Sequence, residues 1–198
     1  MYDFLELRSD ELIGVLADVS GKGVHAAILS ALFQGALDRE CRTNASLSAV
    51  LEELNQLMYK RSPSNGFVTA FLFSLDANGK GEFAGAGHNP AYLFRAASGE
   101  IEQLMSQGMV LGAFPSSKYE SSPLQLNPGD VLVVYSDGIT EAANNEDEMF
   151  GEERLLELLR SHASVGVKGL QNKILEQVDR FTEGMHQTDD MTLVLIGA

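Results

Sequence analysis

Cysteine is almost absent: Cys41 is the only one in 198 residues. No internal disulfide can form, and a reducing cytoplasm is the simplest setting for such a chain. Positive charge is scarce as well. Against 28 Asp and Glu stand 14 Lys and Arg, a formal net charge of -14. A nucleic-acid or anionic-membrane partner would be repelled by that balance. Long apolar runs are missing, since no stretch approaches the ~20 residues that span a bilayer. The start, Met1-Tyr2-Asp3-Phe4, lacks the basic segment of a signal peptide. There is no His or Cys pattern at metal-ligand spacing, no internal repeat, no low-complexity tract and no interdomain linker. What remains is ordinary for a globular chain, 44% hydrophobic and 21% charged, and long enough for one domain with a sizeable core.

The stretch Leu12–Leu37 organises the reading. Leu12–Ala17 is a short apolar run with the look of a buried strand, and Asp18 stands at its end. Val19-Ser20-Gly21-Lys22-Gly23 turns the chain. From Val24, apolar residues at Ala27, Ile28, Ala31 and Leu32 predict a helix packed back on the sheet and running to about Arg42, with Gly35 a weak spot inside it. A carboxylate beside a glycine-rich turn that opens a helix suits a cation and an anion together. Lys22 reads as a solvated loop residue, because the P-loop pattern is absent. Phe4–Leu7 should pair with Leu12–Ala17 through a turn at Ser9-Asp10-Glu11. A second helix, capped by Ser46 or Ser48, presents Val50, Leu51, Leu54, Leu57 and Met58. After a loop at 61–66 the pattern turns strand-like over Phe67–Leu75, Glu82–Ala86, Ala91–Phe94, Ile101–Leu104, Pro123–Leu126 and Val131–Tyr135. Helices over Glu152–Ser161 and Val167–Phe181 and a last strand at Met191–Ile196 close the chain. That order predicts an α+β fold: a central antiparallel β-sandwich flanked by pairs of helices, in four layers.

Two further acidic positions repeat the logic of Asp18. Asp137 follows Val131–Tyr135 directly, and Asp189 with Asp190 precedes the final strand. If these three strongly apolar strands are central neighbours, their ends lie roughly 5–10 Å apart. Oxygen donors without His or Cys suit Mg²⁺ or Mn²⁺ rather than zinc.

Five segments then carry a resemblance: Asp18-Val-Ser-Gly-Lys-Gly23, Phe67-Val-Thr-Ala70, Ala86-Gly-His-Asn-Pro-Ala91, Ser136-Asp-Gly-Ile-Thr-Glu-Ala142 and Thr188-Asp-Asp-Met-Thr192. In this order the chain resembles the metal-dependent (type 2C, PPM) serine/threonine protein phosphatases, in the bacterial branch of the stage II sporulation phosphatase E and the sigma-regulatory phosphatases. The resemblance implies hydrolysis of phosphoserine or phosphothreonine by a water shared between two divalent ions, Mn²⁺ or Mg²⁺, without a phosphoenzyme. Asp18 would bridge the ions, the Val19 carbonyl would help hold one, and Asp137 and Asp189 would complete the other site. Asp190, where relatives often carry Asn, would support the ligands. Ser20, Gly21, Gly138 and Asn89 fall in the same motifs, as supporting or substrate-facing residues. The implied partners are a phosphorylated anti-sigma-antagonist-type protein and an upstream sensor or receiver domain, engaged through the helices from Val24 and Ser46. A homodimer is compatible with this.

The departures matter. This branch usually reads Gly-Gly-Asp-x-Tyr-Asp-Phe at the first strand; Tyr2-Asp3-Phe4 matches its end, and the motif's first aspartate would precede Met1. The expectation is therefore a single domain over 1–198, cut at its N-terminus from a longer regulator, with its second metal site weakened. Asp3 should not substitute, because it lies further along the strand. The rival reading is a catalytically silent module that binds phosphoprotein or sensor without turnover. Ser20 occupies the position of a histidine suspected as general acid in the eukaryotic branch, which leaves that role unassigned. His25 reads as a helix-surface residue, with a proton donor as the alternative, and His88 with Asn89 as a pair that shapes the loop before Pro90. Glu141 stands between a supporting role and a surface charge. Thr69 packs in its strand or faces the site, Cys41 fills the core, and His162 and His186 have no partner pattern.

Overall fold

The computed structural model describes residues 1–7, 10–62, 66–185, 187 and 189–198. Expectations placed on Ser9, on Pro63-Ser64-Asn65, on His186 and on Thr188 lie outside these. In chain order the elements are β1 (Tyr2–Glu6), β2 (Leu12–Val19), α1 (Val24–Thr43), α2 (Leu47–Arg61), β3 (Val68–Leu75) and β4 (Lys80–Ala86). There follow β5 (Ala91–Phe94), β6 (Ile101–Leu104), β7 (Ser121–Gln125), β8 (Val131–Tyr135), α3 (Asp137–Thr140), α4 (Gly151–His162), a 3₁₀ turn at Ala163–Val165, α5 (Val167–Thr182) and β9 (Leu193–Gly197). They form two compact units, Met1–His88 with Met105–Gln125, and Asn89–Leu104 with Leu126–Ala198. The α+β class holds, with an antiparallel sheet and a helix pair in each unit.

In the first unit the strand order is β1-β2-β3-β4-β7. Strand residues alternate faces, so Ile13, Val15 and Ala17 of β2 share one face with Val68, Ala70 and Leu72 of β3. These pack with Phe33 and Leu37 of α1 and Leu51, Leu54 and Met58 of α2. Complete burial of side chains of this size contributes about 1.5–3 kcal/mol each. The opposite face carries Gly14, Leu16 and Asp18. Gly14 is required there, because a Cβ would sit 2.1 Å from Cζ of Phe73. Helix α2 begins under two caps. Ser46 Oγ accepts from the Ala49 amide at 3.3 Å, and Glu82 of β4 accepts from the Leu47 amide at 2.6 Å. Ser46, not Ser48, is therefore the cap, and Glu82 satisfies a second of the helix's open donors.

Helix α1 corrects the sequence reading. Ala27, Ile28 and Ala31 point outward, with Ile28 62% exposed, and the buried stripe is Leu29, Phe33, Leu37 and Cys41. The helix passes through Gly35 without a break. Cys41 is buried, as expected. Burial first, then the carboxylates of Asp38, Glu11 and Glu40, push its thiol up to about 12, so it stays protonated and unreactive at neutral pH.

In the second unit the order is β6-β5-β8-β9. Leu155 and Leu159 of α4 and Leu170, Ile174 and Val178 of α5 cover Tyr92, Phe94, Val131, Val133 and Tyr135. The Tyr135 hydroxyl donates to Glu152 at 2.9 Å. Strands β8 and β9 are neighbours here, with β9 at the edge, whereas β2 belongs to the other sheet. The three strands that carry the acidic termini are therefore not central neighbours of one sheet. The last strand also starts later than expected, at Leu193, and α3 was not foreseen.

Asp130 anchors the turn before β8. Its carboxylate accepts from Arg95 at 2.8 Å, from the Ala96 amide at 2.9 Å and from the Asn127 amide at 3.0 Å, while Arg95 also grips Glu102. Burial alone would raise the pKa of Asp130, but the Arg95 hydrogen bond and the two amides outweigh it and hold the carboxyl below the ordinary 3.8. A depressed folded-state pKa stabilises the fold above the unfolded value and loses that contribution as pH falls through the folded value. Asp130→Asn is expected to cost about 2–4 kcal/mol at neutral pH. Urea midpoints should show that gap shrinking as the pH drops below about 4.

Candidate active site

Asp18 is the first exposed position after the buried run of β2. Its register partner is Thr69 on β3, on the face away from α1 and α2. Thr69 Oγ1 lies 3.1 Å from Nδ1 of His88. The Asp18 end of the first sheet thus carries a carboxylate, a hydroxyl and an imidazole along one face. Thr69 lies on the Asp18 face of its strand, away from the core packed by α1 and α2.

The turn after Asp18 is fixed by Ser20. Its amide donates to the Phe67 carbonyl at 2.9 Å and its Oγ accepts from the Phe67 amide at 2.8 Å. These bonds add a rung beyond the Val19↔Val68 pair, so the Ser20 hydroxyl serves to aim the turn. Gly21 and Gly23 have φ of 92° and 78°, a left-handed backbone that glycine alone adopts without cost.

Asp3 cannot stand in for a ligand beside Asp18, for a reason sharper than distance along the strand. It pairs with Val15 and accepts from Gln34 of α1 at 2.8 Å, so it lies on the helix-covered face. Met1 and Ala17 exchange both backbone hydrogen bonds, at 2.6 and 2.9 Å. One step further, the register sets the residue before Met1 opposite Asp18 on the same face. That would be a non-hydrogen-bonded pair, whose Cα atoms approach to ~4.5 Å.

In the second unit Asp137 opens α3. Its Oδ1 accepts from the Gly138 amide at 2.9 Å and its carbonyl from the Glu141 amide at 2.7 Å. The Asp190–Thr192 main chain is tied to this point by Ser136, which the sequence reading did not single out. The buried Ser136 hydroxyl donates to the Asp190 carbonyl at 2.9 Å and accepts from the Thr192 amide at 2.8 Å. The Ser136 amide donates to the Thr192 carbonyl at 2.9 Å, which continues the β8–β9 ladder past Tyr135↔Leu193. Gly138 completes the contact: a Cβ there would lie 2.5 Å from the Asp190 carbonyl oxygen. Asp189 Oδ1 accepts from the Asp190 amide at 2.8 Å, and its carbonyl from Gln187 at 2.7 Å. Asp190 thus enters through its main chain.

Among the described residues no group of three or more His, Cys, Asp or Glu side chains stands ready to hold a metal ion. The donor type nevertheless fits a hard cation, being oxygen throughout. Neither Asp137 nor Asp189 is taken up by an ion pair with a described cationic side chain. His25 is exposed in the first turn of α1, and Glu141 is exposed at the end of α3.

The fold is that of PP2C-type phosphatase domains. The SiaA-PP2C domain of Pseudomonas aeruginosa superposes with a TM-score of 0.86 at 23% identity, covering 100% of this chain and 79% of that one. Within that class, residues 8–198 match the family model of stage II sporulation protein E (SpoIIE), and the chain belongs to that family. Protein IcfG of Synechocystis is 28% identical over 98% of this chain and 35% of its own length. The phosphoserine phosphatase RsbU of Bacillus subtilis is 27% identical over 96% of this chain and 57% of its own. The chain therefore spans about a third to somewhat over half of these relatives.

Ser136→Ala leaves the Thr192 amide and the Asp190 carbonyl without their partner and is expected to cost about 1–3 kcal/mol. Gly138→Ala presses on the same carbonyl and should cost a similar amount. Because both act on one contact, the double variant should fall short of the sum, which urea unfolding of all four proteins would measure.

Proposed function

We propose that this chain is a metal-dependent phosphatase domain that hydrolyses phosphoserine or phosphothreonine on a regulatory protein of the anti-sigma-antagonist type. One observation carries the reading: in a chain of this family, Asp18, Asp137 and Asp189 stand at the exit of β2, the exit of β8 and the approach to β9. Each is followed by a main chain fixed in place, through Ser20 in one case and through Ser136 and Gly138 in the others. The name of RsbU as a phosphoserine phosphatase supports the same substrate chemistry.

In this reading Asp18, the Val19 carbonyl, Asp137 and Asp189 hold two divalent ions, Mn²⁺ or Mg²⁺. When bound, such ions supply an acidified water at neutral pH and offset the phosphoryl charge. The chain's own contribution is placement. Ser20 and the glycine turn orient Asp18, Ser136 and Gly138 hold the Asp190–Thr192 main chain against α3, and Thr69 with His88 lines the Asp18 face. Residues 1–198 act as one phosphatase domain under an upstream sensor or receiver, with α1 and α2 as the regulatory contact and a homodimer as a compatible assembly. No helix among the described residues is long and apolar enough to cross a membrane, and a cytoplasmic setting accords with the single buried thiol.

The test is release of phosphate from a phosphoserine peptide with Mn²⁺, in this chain and in a form that carries Gly-Gly-Asp ahead of Met1. The added aspartate, opposite Asp18, should raise turnover. Asp18→Asn and Asp137→Asn should each lower it by about 100-fold or more. No Mn²⁺-dependent turnover in either form would overturn the enzyme and leave a binding module.

A further inference from the structure

A cavity of about 400 Å³ lies within the second unit and shares Gly138 and Asp189 with the candidate site. Its apolar wall comes from Leu175 and Val178 of α5 and from Met185 and Met191. Around this wall stand three carboxylates, Asp147, Asp179 and Asp189, and no lysine or arginine among the described residues lines it. Asp147 and Asp179 have no ion-pair partner among those residues. The C-terminal end of α5, at Thr182, adds the partial negative charge of its last carbonyls.

The acidic side is built before any ligand arrives. Asn144 Oδ1 accepts from the Glu146 and Glu148 amides at 2.9 Å each, and the Asp147 amide donates to the Asn144 carbonyl at 3.2 Å. Asp147 is thereby held at φ 60°, a left-handed conformation that Asp and Asn tolerate better than other side chains. An anion is excluded from such a pocket by charge. A purely apolar group would fill the wall but desolvate Asp147 and Asp179 without compensation. A cationic head on an alkyl stem satisfies both surfaces, the stem on leucine and methionine and the head against Asp147 and Asp179.

We propose that this cavity is a specificity pocket for an arginine or lysine side chain that flanks the phosphorylated residue of the protein substrate. The term substrate rests on the phosphatase reading; the contact itself is one of binding and is testable without turnover. The probes are fluorescent peptides with a non-hydrolysable phosphonate in place of phosphoserine. Each carries one arginine, or its uncharged isostere citrulline, within four residues of the phosphonate.

By fluorescence anisotropy, arginine at one position should bind about five- to tenfold more tightly than citrulline, with the advantage shrinking as salt is raised. In the Asp147→Asn/Asp179→Asn variant that advantage should vanish while citrulline peptides bind as before. Thermal unfolding would confirm that the variant is folded. An arginine advantage at no position, or one that survives in the variant, overturns the pocket. Hydrolysis of p-nitrophenyl phosphate reads the other question separately and should be equal in parent and variant. An arginine advantage lost in the variant, with no turnover in the parent even with Gly-Gly-Asp ahead of Met1, would retain the pocket and remove the phosphatase reading.

Discussion

Strand β2 pairs on both sides, with β1 and with β3, so a slip of one residue would turn every side chain along it to the wrong face. Ile13, Val15 and Ala17 hold it in phase by packing against α1 and α2, and Gly14 admits the ring of Phe73 on the reverse. The same parity sends Asp18 to the face opposite the helices and places Thr69 across from it. It also disposes of Asp3, whose carboxylate faces Gln34 on α1. The hydrophobic core thus determines which carboxylates are available for chemistry.

The second unit solves a similar problem with a hydroxyl. Its edge strand β9 would otherwise begin at Leu193 with the preceding segment unsupported. Ser136 bonds Asp190 and Thr192 at once, and the missing side chain of Gly138 lets α3 approach the same main chain. Asp137 and Asp189 therefore project from stretches whose main chains are fixed near one another, although each carboxylate makes few bonds of its own. Such economy is what the proposed role of the two carboxylates as metal ligands requires of their oxygens.

Much of this was legible in the residues. Val131–Tyr135, Ala91–Phe94 and Ile101–Leu104 appear with the expected bounds because apolar runs between turn residues leave little choice. The two-helix, strand-run, two-helix order followed from the change of period along the chain. Helix α1 was misread because it is apolar around most of its circumference: Ala27, Ile28 and Ala31 fit the helical spacing as well as Leu29, Phe33 and Leu37 do. Which strands share a sheet was hidden too, since pairing is a tertiary choice and β2 looks no different from β8 in composition. The acidic residues stood out as carboxylates at strand ends, whereas Ser136 had no signal beyond its place in front of Asp137, where a serine reads as an ordinary turn residue. Helix α3 is four residues long, too short to show a period.

The lone thiol has a practical side. Cys41 is 3% exposed, and its thiolate is suppressed by burial and by neighbouring acids. The native protein is in effect blank to thiol-directed reagents without any cysteine having been removed. A cysteine placed at an exposed position such as Ile28 on α1 or Met185 beside the acidic cavity would then be the one reactive sulfur on the surface. Spin labels, fluorophores or cross-linkers set there would report on α1 or on the cavity from an otherwise unaltered chain.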